Sequence, residues 1–115
     1  MMTFDEYQKQ AITTDTSKGG MESMTDPMFL DKAFGLVGEA GEFAEKLKKI
    51  YRDKDGKLSD QDKQELLKEL GDVLWYLSAV TYYLDTSFDD LATMNLEKVF
   101  SRKARGVMHG SGDNR

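Results

Sequence analysis

Apolar and polar positions along the chain follow the three-and-four spacing of helices rather than the two-residue period of strands. Phe4, Tyr7 and Ala11 share one side of a first helix, expected from about residue 4 to residue 14. Asp15-Thr16-Ser17-Lys18-Gly19-Gly20 then reads as a loop by composition. Asp26-Pro27 is a start signal: a capping acid, then proline at the first helical position, where its missing N–H costs nothing. The helix it opens runs to about residue 51, with Leu30, Ala33, Phe34, Val37, Ala40, Ala44 and Leu47 as its expected buried stripe. After a solvated turn over residues 52–57, Ser59 or Asp60 caps a third helix reaching about residue 84. Leu66, Leu67, Leu70, Val73, Leu74 and Leu77 lie on one face of it, and from Val73 to Leu84 it is apolar or aromatic nearly all round. A helix greasy on every side must be covered on every side. One four-helix subunit of this size hardly does that, so a helical oligomer, most simply a dimer, is expected. Thr86 or Ser87 caps a fourth helix over about residues 88–105, and Gly106 ends it.

Composition agrees with an all-α helical bundle of about four helices. One proline, seven methionines and 32% charged residues suit long helices better than strands. At 115 residues, a single domain over 1–115 is expected, closing in a glycine-rich tail over 106–115. Sixteen Lys and Arg stand against twenty-one Asp and Glu, a net charge of −5, which argues against nucleic acid as a partner. The absence of cysteine excludes a disulfide scaffold, a thiolate zinc site and a Cys nucleophile. The single histidine, His109, excludes any site needing two imidazoles. No run approaches the roughly 18 apolar residues of a membrane span, and the acidic start is unlike a secretory signal. A soluble cytoplasmic protein, without nucleic acid or membrane as partner, is the expectation.

The chemistry-bearing pattern is acidic. In Gly35-Leu36-Val37-Gly38-Glu39-Ala40-Gly41-Glu42, the two glutamates are three apart, so they project from one helix face, opposite the stripe centred on Val37. Glycine inside a helix costs about 1 kcal/mol against alanine, so Gly35, Gly38 and Gly41 suggest a close approach to the backbone there. The third helix repeats the arrangement in Glu69-Leu70-Gly71-Asp72, with Asp72 at the edge of the apolar run. Carboxylates crowded into a partly buried site are pushed toward protonation, and a divalent cation removes that penalty. Acids without a useful histidine or thiol favour Mg²⁺ or Mn²⁺ over zinc or copper. The plain alternative is that such pairs are solvated faces with i,i+3 and i,i+4 partners, as Glu42 with Lys46 and Glu65 with Lys68. Periodicity alone leaves both readings open.

Glu39-x-x-Glu42 followed on the next helix by Glu69-x-x-Asp72 resembles the signature of MazG-like nucleotide pyrophosphohydrolases, of the all-α NTP pyrophosphatase superfamily. The flanking text, with Gly35-Leu36-Val37-Gly38 before and Val73-Leu74-Trp75-Tyr76-Leu77 after, strengthens the resemblance. Asn95-Leu96-Glu97-Lys98 followed by Arg102 is similar to a polar cluster on the next helix of that family, and the closing Gly110–Arg115 segment to tails of some members. Many members carry two consecutive acids where this chain has Gly38 before Glu39, so no ligand role falls to that position. The resemblance implies hydrolysis of a nucleoside triphosphate to the monophosphate and pyrophosphate, by an assembly built from dimers. It makes Glu39, Glu42, Glu69 and Asp72 the catalytic acids and Mg²⁺ ligands, and Lys98, Asn95 and Arg102 contacts for phosphate or sugar. A role in clearing surplus or damaged nucleotides is the family-level expectation.

Such hydrolysis needs an in-line water, charge neutralisation and a stabilised leaving group. The expectation is two or more ions between the second and third helices, with Glu42 accepting the proton of the attacking water. The tail has two readings, a lid over bound nucleotide or a loose terminus. Trp75, Tyr76, Tyr82 and Tyr83 likewise either stack on a base or fill core and interface. A di-iron bundle wants Glu-x-x-His on two helices, and no histidine precedes position 109. The competing account is a non-enzymatic helical interaction domain, with the greasy helix as a dimer seam and the acids as a solvated rim.

Overall fold

The structure is a computed structural model that describes residues 1–17 and 25–115. Helix α1 (Phe4–Ala11) runs into a 3-10 turn (Ile12–Thr14), and α2 (Pro27–Lys54), α3 (Asp60–Tyr83) and α4 (Phe88–Arg105) follow. Of the loop expected after the first helix, residues 18–20 lie outside the described residues.

Side chains at the helix starts explain the boundaries. Thr3 and Glu6 form a reciprocal capping box on α1, and Ser59 and Asp62 form another on α3, which selects Ser59 over Asp60 as the cap. Asp26 Oδ1 accepts from Met28 N at 2.9 Å, with Pro27 at the first position of α2. Ser87, rather than Thr86, caps α4 by accepting from Asp90 N. Helix α2 continues three residues past the expected end and stops where Asp55 and Gly56 adopt φ of 53° and 74°. Gly106, at φ 71°, ends α4.

Helices α2 and α3 form an antiparallel pair, shown by the pairing of Lys54 with Asp62 near the turn and of Lys46 with Glu69 farther along. Helix α1 lies on α3 and α4, and α4 meets α1 and α3 but not α2. Buried Gln8 ties the three together: its amide donates to Ser78 O and Thr86 O, and its Oε1 accepts from Phe88 N. Asp5 accepts from Asp89 N at 2.7 Å, so α1 satisfies two orphan donors at the start of α4. Phe4 closes this corner, its ring 5.1 Å from that of Phe88.

One expectation about α2 is corrected. Its predicted buried stripe is turned outward: Leu30, Phe34 and Val37 are 58%, 70% and 68% exposed. The side facing α3 carries Lys32, Gly35, Glu39, Lys46 and Ile50, also at three-and-four spacing. Two stripes therefore share the helix, and the partly polar one faces inward because its charges find partners there. Leu67 and Leu70 of α3, and Met94, Leu96 and Phe100 of α4, are also exposed. The fully buried apolar set is only Ile50, Leu66, Ala79, Tyr83 and Phe88 among the described residues. The radius of gyration is 17.1 Å, against about 13 Å for a compact chain of this length. The accessible surface is 8257 Å², against about 6,400 Å² for a folded monomer of this mass.

Candidate metal centre

Antiparallel packing brings the middle of α2 opposite the middle of α3, which is where both acidic pairs lie. Glu39, Glu69 and Asp72 each offer a carboxylate oxygen, and these oxygens lie within 4.8 Å of one another. Glu69 Oε1 is 2.8 Å from Lys46 Nζ, which also stands 3.5 Å from Glu65 Oε2. Burial, then the charges of Asp72 and Glu69 and a hydrogen bond shared with Glu69, push the Glu39 carboxyl above its ordinary pKa. Glu42 is exposed on the rim, outside this trio, yet its charge still contributes to the rise at Glu39. Three acids against one lysine leave the seam short of positive charge.

The donor set suits a hard cation: oxygen ligands only, without a described histidine or thiol among them. Octahedral Mg²⁺ with ligands at about 2.1 Å sets oxygens roughly 3 Å apart when cis and about 4.2 Å when trans, so oxygens within 4.8 Å of one another would draw together to close on that ion.

The glycines expected to mark a close approach divide in two. A methyl group at Gly35 would overlap the Tyr76 ring, so that glycine admits the aromatic side chain to the α2 backbone. At Gly38, Gly41 and Gly71 nothing lies within 4 Å of the position a Cβ would take.

One helical turn along α3 from Asp72, Trp75 donates its indole N–H to Thr14 Oγ1 at 2.9 Å. A cavity of about 350 Å³ is lined by Thr14, Glu39, Asp72, Trp75 and Tyr76. A larger cleft of about 660 Å³ shares Thr14 and Trp75 with it and extends along α1 past Tyr7, Gln10 and Thr13. Burial raises the Tyr7 phenol above its usual pKa and the charge of Asp72 adds to the rise, which places Tyr7 beside the acids. Sequence reasoning left Trp75 between base stacking and core; the structure sets it half-buried at the edge of the acidic trio.

A second polar cluster, unseen in the sequence, lies next to Trp75. Lys32 Nζ is 3.0 Å from Asp15 Oδ1 and donates to Ser17 Oγ at 2.7 Å and to Asp31 Oδ2 at 3.0 Å. Ser17 Oγ donates to Asp15 Oδ1 and Tyr83 OH donates to Asp15 Oδ2. Burial alone would raise the Asp15 carboxyl, but the hydrogen bonds from Ser17, Lys32 and Tyr83 outweigh it and lower the pKa to about 2. Burial likewise opposes the charge on Lys32, and its bonds to Asp15 and Asp31 turn the balance upward. The ammonium stands 5.8 Å from the Trp75 ring centroid. The available signals were the Asp15-Thr16-Ser17 turn chemistry and the position of Lys32 on the same stripe as Gly35 and Glu39.

The residues of α4 sit elsewhere. Asn95 lines an apolar cavity between α3 and α4 with Phe4, Leu74 and Phe88. Lys98 Nζ is 3.4 Å from Asp113 Oδ1, and buried Arg102 donates through Nη2 to Asp113 O at 2.9 Å and to Gly112 O. Arg115 in turn donates to Val107 O, Gly112 O and Met108 O. The tail is thus folded back on the end of α4, rather than loose or laid over the acidic trio, and within one chain Asn95, Lys98 and Arg102 do not join Glu39, Glu69 and Asp72.

Residues 32–107 match the MazG nucleotide pyrophosphohydrolase domain. The chain belongs to that family. All four carboxylates of the two acidic pairs fall inside the matched stretch, whereas α1 and the Asp15–Ser17 turn precede it. Over 114 residues the chain is 44% identical to the Gene 37 protein of Mycobacterium phage L5, covering 99% of this chain and 100% of that protein. That likeness extends the comparison beyond the MazG match to α1. No solved structure matches the chain.

Proposed function

We propose that this MazG-family protein is a Mg²⁺-dependent nucleoside triphosphate pyrophosphohydrolase, releasing the monophosphate and pyrophosphate, with Mn²⁺ able to replace Mg²⁺. The observation that carries the reading is the convergence of Glu39, Glu69 and Asp72 from α2 and α3 within a chain of this family. These three, with Glu42 at the rim, would hold the metal. A bound hard cation supplies neutralisation of the triphosphate and lowers the pKa of water. Glu42, exposed one turn from Glu39, offers a carboxylate to accept the proton of the attacking water. Lys46 holds Glu69 as a provisional counter-charge that a cation would displace. Asn95, Lys98 and Arg102 of α4 are assigned to phosphate or sugar, which requires the Lys98 and Arg102 contacts with Asp113 to open or the site of another subunit to be their target.

The working unit is a homo-oligomer, dimer or tetramer. The outward stripe of Leu30, Phe34 and Val37 and the excess of surface over a compact monomer support it. The setting is cytoplasmic; no described helix is long and apolar enough to cross a membrane.

The test is a turnover screen over common and modified ribo- and deoxyribonucleoside triphosphates with Mg²⁺, in ¹⁸O-enriched water. Pyrophosphate release, abolished by chelation, with label in the monophosphate is expected. Label in pyrophosphate contradicts attack at the α-phosphorus, and an absence of turnover with every nucleotide favours the interaction-domain account.

A further inference from the structure

We propose that the base of the nucleotide lies in the cleft between α1 and α3, packed against Trp75 with Tyr7 on the same wall, so that Trp75 is the residue by which the site tells a nucleotide from a bare polyphosphate. This rests on the hydrolase reading above and adds to it where the organic half of the substrate sits.

Three observations lead there. First, the cavity beside Glu39 and Asp72 and the larger cleft along α1 are neighbours that share Thr14 and Trp75. A ligand anchored by its phosphates at the acids therefore has continuous space past the indole. Second, the cleft is a broad, open depression of about 660 Å³ whose lining combines two aromatic rings with the Gln10 amide and the Thr13 hydroxyl. Aromatic rings give a base its stacking surface and an amide gives its edge both a donor and an acceptor. Third, Trp75 is fixed by contacts on several sides. Its N–H is bonded to Thr14 at 2.9 Å, Tyr76 packs against it with 5.0 Å between centroids and near-perpendicular rings, and the buried Lys32 ammonium stands over the indole. The 3-10 turn that carries Thr14 is followed directly by Asp15, which Lys32, Ser17 and Tyr83 fix. The buried cluster thus acts as a positioning device: it sets Thr14, and Thr14 sets the indole.

Trp75 is the single tryptophan of the chain, so its emission reports on this cleft alone. The parent protein is titrated with α,β-methylene nucleoside triphosphates and Mg²⁺, and separately with inorganic tripolyphosphate and Mg²⁺. Saturable quenching by the nucleotide analogues, with little by tripolyphosphate, is expected. In turnover, Trp75→Ala is expected to raise KM by roughly 10- to 100-fold, the usual weight of base–aromatic stacking, with kcat within a few-fold. Trp75→Phe restores most of the loss, and Thr14→Val, which removes the indole's partner together with the hydroxyl's own bond to Ala11 O, raises KM by a smaller factor. A parent that hydrolyses nucleotides while Trp75→Ala keeps its KM overturns the assignment and leaves the hydrolase reading standing. A parent without turnover overturns the hydrolase reading, and the fluorescence titration still tests the cleft. Emission that changes on dilution of the protein but not with nucleotide overturns the assignment by showing a second copy there instead. Should Trp75→Ala fail to fold, the parent titration and Trp75→Phe decide between the same outcomes.

Discussion

Two polar clusters interrupt the seam beside α2, about two turns apart on one stripe of the helix, and they are opposites. Around Lys32 the buried charges are matched: one ammonium faces Asp15, with the solvent-exposed Asp31 beside it, and the Asp15 carboxylate collects bonds from Ser17, Tyr83 and Lys32 with almost no exposure. Around Glu39, three carboxylates converge and Lys46 pairs with Glu69 alone among them, and the Glu39 carboxyl is pushed upward by burial and by its neighbours. The first cluster is complete as it stands and holds Asp15 and Ser17 against α2 and α3. The second is incomplete, and a divalent cation is the simplest completion. The same helix thus shows what separates a structural polar network from a site: whether its charges already sum to a satisfied set.

Substitutions that neutralise one side of each cluster should break the two in different ways. The largest effect is expected for Glu69→Gln and Asp72→Asn, which should lower pyrophosphate release by more than about 100-fold, since even outer-shell partners of metal sites are worth 10–100-fold. Thermal melts without metal should show both variants folded, Asp72→Asn no less stable than the parent because a repulsive charge has been removed, and Glu69→Gln near the parent because the lost repulsion offsets the lost ion pair with Lys46. The opposite pattern is expected for Lys32→Met, which strands a buried carboxylate at Asp15. It should cost about 3–5 kcal/mol in denaturant unfolding, the usual consequence of removing one partner of a buried pair.

The matched cluster also predicts a pH dependence. The folded-state pKa of Asp15 is lowered to about 2, below the ordinary value near 3.9 of an unfolded aspartate. Its contribution is therefore fully present above about pH 4 and is lost as pH falls toward 2, since protonation removes the charge facing Lys32 and the bonds from Ser17 and Tyr83. Unfolding midpoints between pH 5 and pH 2 should fall for the parent and fall less steeply for Asp15→Asn, which starts lower. Smallest of all, Gly38→Ala and Gly71→Ala should each stabilise the chain by up to about 1 kcal/mol, because a Cβ there meets nothing within the subunit. Gly35→Ala should destabilise, because it strikes Tyr76.

The helices were legible because their ends are written in short-range chemistry: Asp26-Pro27, Ser59 with Asp62, Ser87 and Gly106 each act within one turn. The acidic pairs were legible for a similar reason, since three-residue spacing fixes a shared face whatever the fold. The inward face of α2 was not. Hydrophobicity pointed to Leu30, Phe34 and Val37, but Lys32 and Glu39 face inward because of partners at Asp15, Glu69 and Asp72 that are remote in sequence. Trp75 was ambiguous because an aromatic in an apolar run carries no mark of whether a cavity opens beside it, and Gln8 gave no sign of its three long-range bonds.

Mn²⁺ binding followed by electron paramagnetic resonance tests the central claim most directly, because the free ion's signal disappears on binding and no turnover is required. The parent should take up Mn²⁺ saturably, Mg²⁺ should compete it off, and the Glu69→Gln and Asp72→Asn proteins should leave the ion free at the same concentrations. Equal uptake by parent and variants would mean that the trio between α2 and α3 does not hold the metal, and the proposed chemistry would lose its site.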